Sequence, residues 1–115
     1  MVTFDTVRTL CLALPGVVEA TSYGTAAFKV GKKLLVRLRE DGETLVVRLD
    51  MDARDLLMSS DPEVFYITDH YVPYPWMLVR LAAVRRGDLA DLLEDSWRQC
   101  APRRLLAEYD GSRRE

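Results

Sequence analysis

The run "AAFKVGKKLLVRLREDGETLVVRLD", residues 26 to 50, constrains the fold more than any other stretch. Its apolar residues recur at every second position in three segments. Gly31-Lys32 and Asp41-Gly42 separate the segments. A period of two is the signature of extended chain with two distinct faces. Gly-x and Asp-Gly are the dipeptides that close tight hairpins. Residues 26 to 50 therefore predict a three-stranded antiparallel meander. A shorter strand around residues 19 to 23 precedes it.

The flanks have the period of helices. In residues 3 to 14, Phe4, Val7, Leu10, Cys11 and Leu14 fall on one side, Thr3 suits the N-cap, and Pro15-Gly16 stops the helix. Asp52 opens a short helix through Met58, and Ser59 to Pro62 ends it. Residues 64 to 68 and 76 to 84 read as strands. Asp88 is expected to cap a long helix whose buried side is Leu89, Leu92, Leu93, Trp97 and Cys100. Pro102 interrupts it, "RRLLAEY" adds a last turn or two, and the tail from 110 to 115 is expected to fray. The order is helix, three or four strands, helix, two strands, helix. That order excludes a doubly wound parallel sheet. It predicts a two-layer α+β domain over residues 1 to 115, an antiparallel sheet of five to six strands with helices on one face.

Alternation assigns the faces. Phe28 and Val30 oppose Lys29; Leu34, Val36 and Leu38 oppose Leu35, Arg37 and Arg39; Leu45, Val47 and Leu49 oppose Val46 and Arg48; Met77, Val79 and Leu81 oppose Leu78 and Arg80. The face away from the helices is thus expected to carry Lys29, Arg37, Arg39, Arg48 and Arg80. Net charge is only -2, but its distribution is uneven. Residues 29 to 48 hold six cations (Lys29, Lys32, Lys33, Arg37, Arg39, Arg48) against three anions. Residues 49 to 79 hold six anions against Arg54 alone. Guanidinium groups are good phosphate ligands, so the basic face is either a solvated surface with paired arginines or an anion-binding one.

"HYVPYPWML", residues 70 to 78, contains the only histidine and lies between two predicted strands. Pro73 and Pro75 hold the chain extended and remove two backbone donors. The stretch is read first as a structural elbow. The competing reading is a recognition surface in which His70, Tyr71 and Tyr74 offer flat rings to a base or peptide, with Trp76 as a core or rim anchor and Tyr23 as a further rim aromatic.

Catalytic and metal-binding patterns are missing. One histidine and two distant cysteines have no zinc spacing. "GKK" at 31 to 33 follows no glycine-rich cradle and enters a strand, so it is no phosphate loop. No serine has a nucleophile-elbow context. The acids of residues 50 to 63 read as helix caps and solvated surface. Cys11 and Cys100 fall on apolar helix sides and read as buried free thiols. A pairing of either with His70 is disfavoured on that ground. The expectation is a non-enzymatic protein with no cofactor and no metal. No apolar run nears the ~18 residues of a membrane span, and "MVTFDTVRTL" lacks a signal-peptide pattern. The expected location is the cytoplasm, with no membrane partner.

Four pieces, "LPGVVEATSYGTAAFKVGKKLLVRL" (14 to 38), "DPEVFYITDHY" (61 to 71), "YPWMLVRL" (74 to 81) and "LLEDSWRQCAPRRL" (92 to 105), share an order and spacing. Together they resemble the MmcQ/YjbR family, small bacterial proteins described as DNA-binding with a double-wing motif. The resemblance implies an α+β fold similar to CyaY-like or secretion-chaperone-like architectures. Its two wings would be the hairpins at Gly31-Lys32 and Asp41-Gly42, and it brings no catalytic residues. An acidic first helix of the frataxin kind is absent, since that helix holds only Asp5. The first functional expectation is DNA binding, with Lys29, Lys32, Lys33, Arg37, Arg39, Arg48 and Arg80 on phosphates. Tyr23, His70, Tyr71, Tyr74 and Trp76 would form the recognition loop. The second is a protein- or peptide-binding module, including a homodimer, using Leu35, Val46 and Leu78 on the sheet face or the sheet edge. The third is a small-ligand pocket lined by Tyr23, His70, Tyr71 and Trp76.

Overall fold

The computed structural model describes residues 2–113. Helix α1 (Phe4–Leu12) leads into four sequential strands: β1 (Val17–Ser22), β2 (Thr25–Val30), β3 (Lys33–Leu38) and β4 (Thr44–Arg48). Helix α2 (Met51–Ser60) follows, then the short strand β5 (Phe65–Tyr66), a 3-10 turn (Asp69–Tyr71) and β6 (Trp76–Arg80). Helices α3 (Arg86–Cys100) and α4 (Arg103–Arg113) end the chain. The six strands form one antiparallel sheet in the order β1-β2-β3-β4-β6-β5. The α+β class, the strand count and the helical layer agree with the sequence expectation.

The core lies between the sheet and the helices. Phe28, Val36, Val47 and Met77 line up across four strands in direct register. They are fully buried with Val7 and Cys11 of α1 and Leu89, Leu93 and Trp97 of α3. Apolar side chains at helical spacing on α1 and α3 thus meet apolar side chains at strand spacing. Asp50 caps α2 by accepting from the Ala53 amide at 3.2 Å. The long helix α3 begins two residues before the expected cap. Asp88 lies in its first turn, where a negative charge still opposes the positive end of the helix dipole.

Two tight connections set the geometry of the sheet's near end. Pro15-Gly16 turns α1 into β1, with Gly16 at φ +75°, where a side chain would be strained and would displace Leu105. A Cβ there would stand 2.6 Å from Leu105 Cδ1 on α4. Tyr23 and Gly24 form the two-residue loop between β1 and β2, both at positive φ, as a type I′ turn requires. Tyr23 is the one non-glycine residue with positive φ among those described. A bulky side chain is strained in that region. Asn-Gly is the pair that suits such a turn, so Tyr23→Asn is expected to leave stability unchanged or raise it by up to ~1 kcal/mol. Thermal unfolding checks this, and a loss of more than ~1 kcal/mol would show that the Tyr23 ring supports the fold through Arg37.

Several boundaries differ from the sequence expectation, each for a local reason. The Asp41-Gly42 connection is a five-residue loop, 39 to 43, because the Asp41 carboxylate accepts from the Glu43 and Thr44 amides at 2.8 and 3.0 Å and from Thr44 Oγ1 at 2.8 Å. Strand β5 covers two residues of the expected five, since β6 pairs only with Phe65 and Tyr66 before the chain leaves the sheet edge. Helix α4 continues through Arg113, and Asp110 is held to α3 by a two-pronged contact with Arg98 at 2.7 and 3.2 Å. Residues 114 and 115 lie outside the described residues.

Candidate functional site

The register of β2 on β3 decides what the outer sheet face carries. Pairing passes from Phe28 opposite Val36 to Lys29 opposite Leu34, so Leu35 is an extra residue in a bulge. Leu35 turns into the core, 1% exposed, and Leu34 takes the outer face. Lys33, opposite the buried Val30, turns to the helix side. The expectation that Leu35 lies beside Arg37 and Leu34 beside Val36 is therefore overturned. Strict alternation assumes an unbroken ladder, and one inserted residue reverses every assignment on one side of it.

The outer face then reads, across the strands, Ala27, Arg37, Val46, Leu78 and Tyr66, with Lys29 opposite Leu34 and Arg48 opposite Trp76. Three of its arginines lie over aromatic rings: Arg37 over Tyr23 at 5.1 Å, Arg48 over Trp76 at 4.6 Å and Arg80 over Tyr66 at 4.0 Å. Each also donates to a backbone carbonyl: Arg37 to Leu38 at 3.4 Å, Arg48 to Leu34 at 2.8 Å, Arg80 to Glu63 at 3.0 Å. Arg37 pairs with Glu40 as well, at 3.4 Å. These side chains are anchored in part by the fold. Lys29 shares the face without such an anchor, Arg39 lies in the loop after β3 near the Glu40 and Asp41 carboxylates, and Lys32 projects at the β2–β3 turn.

The proline-aromatic segment folds onto this same face. Tyr71 and Tyr74 sit around the 3-10 turn, and His70 meets both rings, at 4.9 and 6.0 Å between centroids. The five residues Tyr23, His70, Tyr71, Tyr74 and Trp76 line one cleft of about 630 Å³ together with Arg37. Leu34 and Val46 contribute apolar wall, and Ser22 and Glu40 contribute polar groups. Aromatic residues more than forty positions apart in the chain thus converge on one concave surface. That volume is in the range of sites that hold a small molecule or one unit of a polymer.

Arg54 fixes the segment in place. It is 5% exposed, on the first turn of α2. Its Nη1 donates to the carbonyls of Tyr71, Tyr74 and Trp76 at 3.0, 2.7 and 3.2 Å, and its Nη2 to that of Val72 at 3.0 Å. Two prolines have removed donors from this stretch, so it presents carbonyl oxygens that one guanidinium fork gathers. The segment is an elbow, as the first sequence reading had it, and its rings also line the cleft. Sequence reasoning missed Arg54. Its one signal was its isolation among six acids.

The thiols stand apart from the cleft. Burial pushes the Cys11 thiol up to about 12. Burial also raises that of Cys100, against the pull of Arg48 and Lys33. Neither cysteine lines the cleft with His70. Among the described residues no group of three or more His, Cys, Asp or Glu side chains is placed to hold a metal ion. No helix among them is long and apolar enough to cross a membrane.

A six-stranded antiparallel sheet with its helices on one side and an aromatic-arginine cleft on the other defines a small α+β protein of one-sided helical cover. The architecture has a counterpart in the crystal structure of Deinococcus radiodurans protein DR2400, a DUF419 domain. The two match with a TM-score of 0.72 at 25% identity, over 84% of this chain and 77% of that one. The family model described as YjbR matches residues 12–99, and the chain belongs to the YjbR family. Uncharacterized proteins of Mycobacterium tuberculosis and Mycobacterium bovis are 28% identical over 127 residues, covering 95% of this chain and 96% of theirs. The family resemblance read from the four sequence pieces is thereby borne out.

Proposed function

We propose that this protein binds nucleic acid through the outer face of its sheet. The observation that carries the reading is an aromatic cleft on the face that holds Lys29, with Lys32 and Arg39 in the hairpin connections of the same strands. Lys29, Lys32 and Arg39 are the cations best able to meet phosphates. Arg37, Arg48 and Arg80 serve mainly to shape the face, since each is tied to a ring and a carbonyl. Lys33 points to the other side and leaves the set.

Counterion release gives the reading a number. Three neutralised phosphates imply a log-log salt slope of about -2.7 on duplex DNA, or about fortyfold weaker binding at 200 mM than at 50 mM salt. Fluorescence anisotropy of a labelled duplex and a labelled single strand at the two salt concentrations tests it. Binding that falls this way, and that Lys29→Glu with Arg39→Glu abolishes, is the expected result. Absence of binding at the lower salt, or affinity unchanged by the double reversal, would remove the assignment.

A second reading has one observation in its favour. β1 is an edge strand of six residues, and Val18 on it is 56% exposed. An unpaired edge is a template for a strand from a peptide or a second copy. The face version of this reading is weakened, because Leu35 lies in the core and Val46 and Leu78 are already buried. Partner capture through the edge would be insensitive to salt.

A further inference from the structure

We infer that the cleft between the Tyr23 turn and the proline-aromatic segment receives one unpaired nucleobase of a single strand. The inference rests on the nucleic-acid reading and adds what part of the ligand is recognised, and where. Three observations carry it. The walls offer four aromatic rings and the imidazole of His70, while Leu34 supplies apolar surface beside the buried Val46, which suits a flat ring inserted edge-on or stacked. The polar groups are of both kinds: Arg37 presents donors, and the Glu40 carboxylate presents acceptors. The two pair with each other at 3.4 Å, and a base edge, which carries donors and acceptors side by side, can bridge them.

The third observation is the state of Tyr23. It is 84% exposed, so it gains little from burial, yet it occupies a left-handed turn position that suits glycine or asparagine. Strain held at a residue that lines a cleft is a mark of function. With Arg37 beneath its ring, Tyr23 is a platform on which a base can stack at the cleft mouth. A paired base cannot reach such a platform, because both its faces are already stacked in the duplex. The cleft therefore selects single strands, and Lys29 on the same face and Arg39 in the loop after β3 are the cations offered to the adjoining phosphates.

The test uses the whole chain and the fluorescence of Trp76, a cleft residue; Trp97 is fully buried among the core residues and supplies a constant background. The probes are an oligothymidylate of about twelve nucleotides, within the site sizes of single-strand binders, a duplex of similar length, and free thymidine monophosphate. The expected result is quenching by the oligothymidylate alone. Tyr23→Asn and Tyr74→Ala should each weaken that strand about tenfold, the loss of one base-aromatic stack, and leave the salt slope unchanged. Tyr23→Asn suits the turn, so loss of folding does not confound it, and circular dichroism of both variants checks this.

The outcomes separate the two claims. Salt-dependent binding with no Trp76 response, and no effect of either tyrosine variant, would overturn the cleft assignment and leave the basic face as the nucleic-acid surface. Thymidine monophosphate binding as tightly as the strand would also overturn it, making the cleft a free-nucleotide site. No binding of strand or duplex at about 50 mM salt would remove both claims.

Discussion

Arg54→Met should lower the stability of the domain by about 2–4 kcal/mol, read as a shift of the urea midpoint with the slope unchanged. The substitution keeps an unbranched apolar stem and removes the guanidinium. What is lost is a set of four donor contacts to Tyr71, Val72, Tyr74 and Trp76. What remains is a group of carbonyl oxygens beside a thioether that cannot answer them. Arg54→Lys should rescue little, because a single ammonium cannot span carbonyls that two nitrogens of a fork now hold. The wild-type midpoint in Arg54→Met would mean that water replaces the guanidinium at no loss, and the clamp would lose its significance. Because Tyr71, Tyr74 and Trp76 line the cleft, the same variant should also dull the Trp76 response to single strands.

Trp97→Ala should cost about 3–5 kcal/mol, a large share of the roughly 5–15 kcal/mol that stabilises a domain. Trp97 is fully buried, packs edge-on against Tyr109 of α4 at 5.0 Å, and donates through Nε1 to the Pro15 carbonyl at 2.9 Å. One side chain thus joins α3, α4 and the elbow between α1 and β1. Trp97→Phe removes the donor together with part of the ring. It retains an aromatic ring and should cost about 1–3 kcal/mol, the range for a carbonyl left unanswered. Equal midpoints for Trp97→Phe and the wild type would show that packing alone matters at this position.

How legible the molecule was in its sequence depended on the length scale of the signal. The meander was legible because its period runs for 25 residues, 26 to 50, and its turns use residues with a conformational reason to be there. The helices were legible from their apolar spacing, although their ends moved by a few positions where capping and tertiary contacts competed. Leu34 and Leu35 were assigned to the wrong faces because a bulge has no reliable mark in a run of apolar residues. The contact between Arg98 and Asp110 was not legible, because the two are twelve positions apart and nothing local announces that they meet. The cleft was legible in its members, Tyr23, His70, Tyr71, Tyr74 and Trp76, and not in its construction. Arg37, Arg48 and Arg80 looked like free phosphate ligands until their aromatic partners were known. Arg54 looked like a stray charge.

The strand order has a consequence for how the chain can be made. β1 to β4 are neighbours in the sequence and in the sheet, so each can pair as soon as the next has left the ribosome, at the low loop-closure cost of successive hairpins. β5 is different. It precedes β6, yet its only sheet neighbour is β6, which inserts between it and β4. Until residues 76 to 80 emerge, β4 is an open edge and Phe65 has no place to bury. The segment from 67 to 75 can therefore take its place on the sheet face only once β6 has paired with β4, when α2 and its arginine have already emerged. The nascent protein can have a complete meander and still have no cleft.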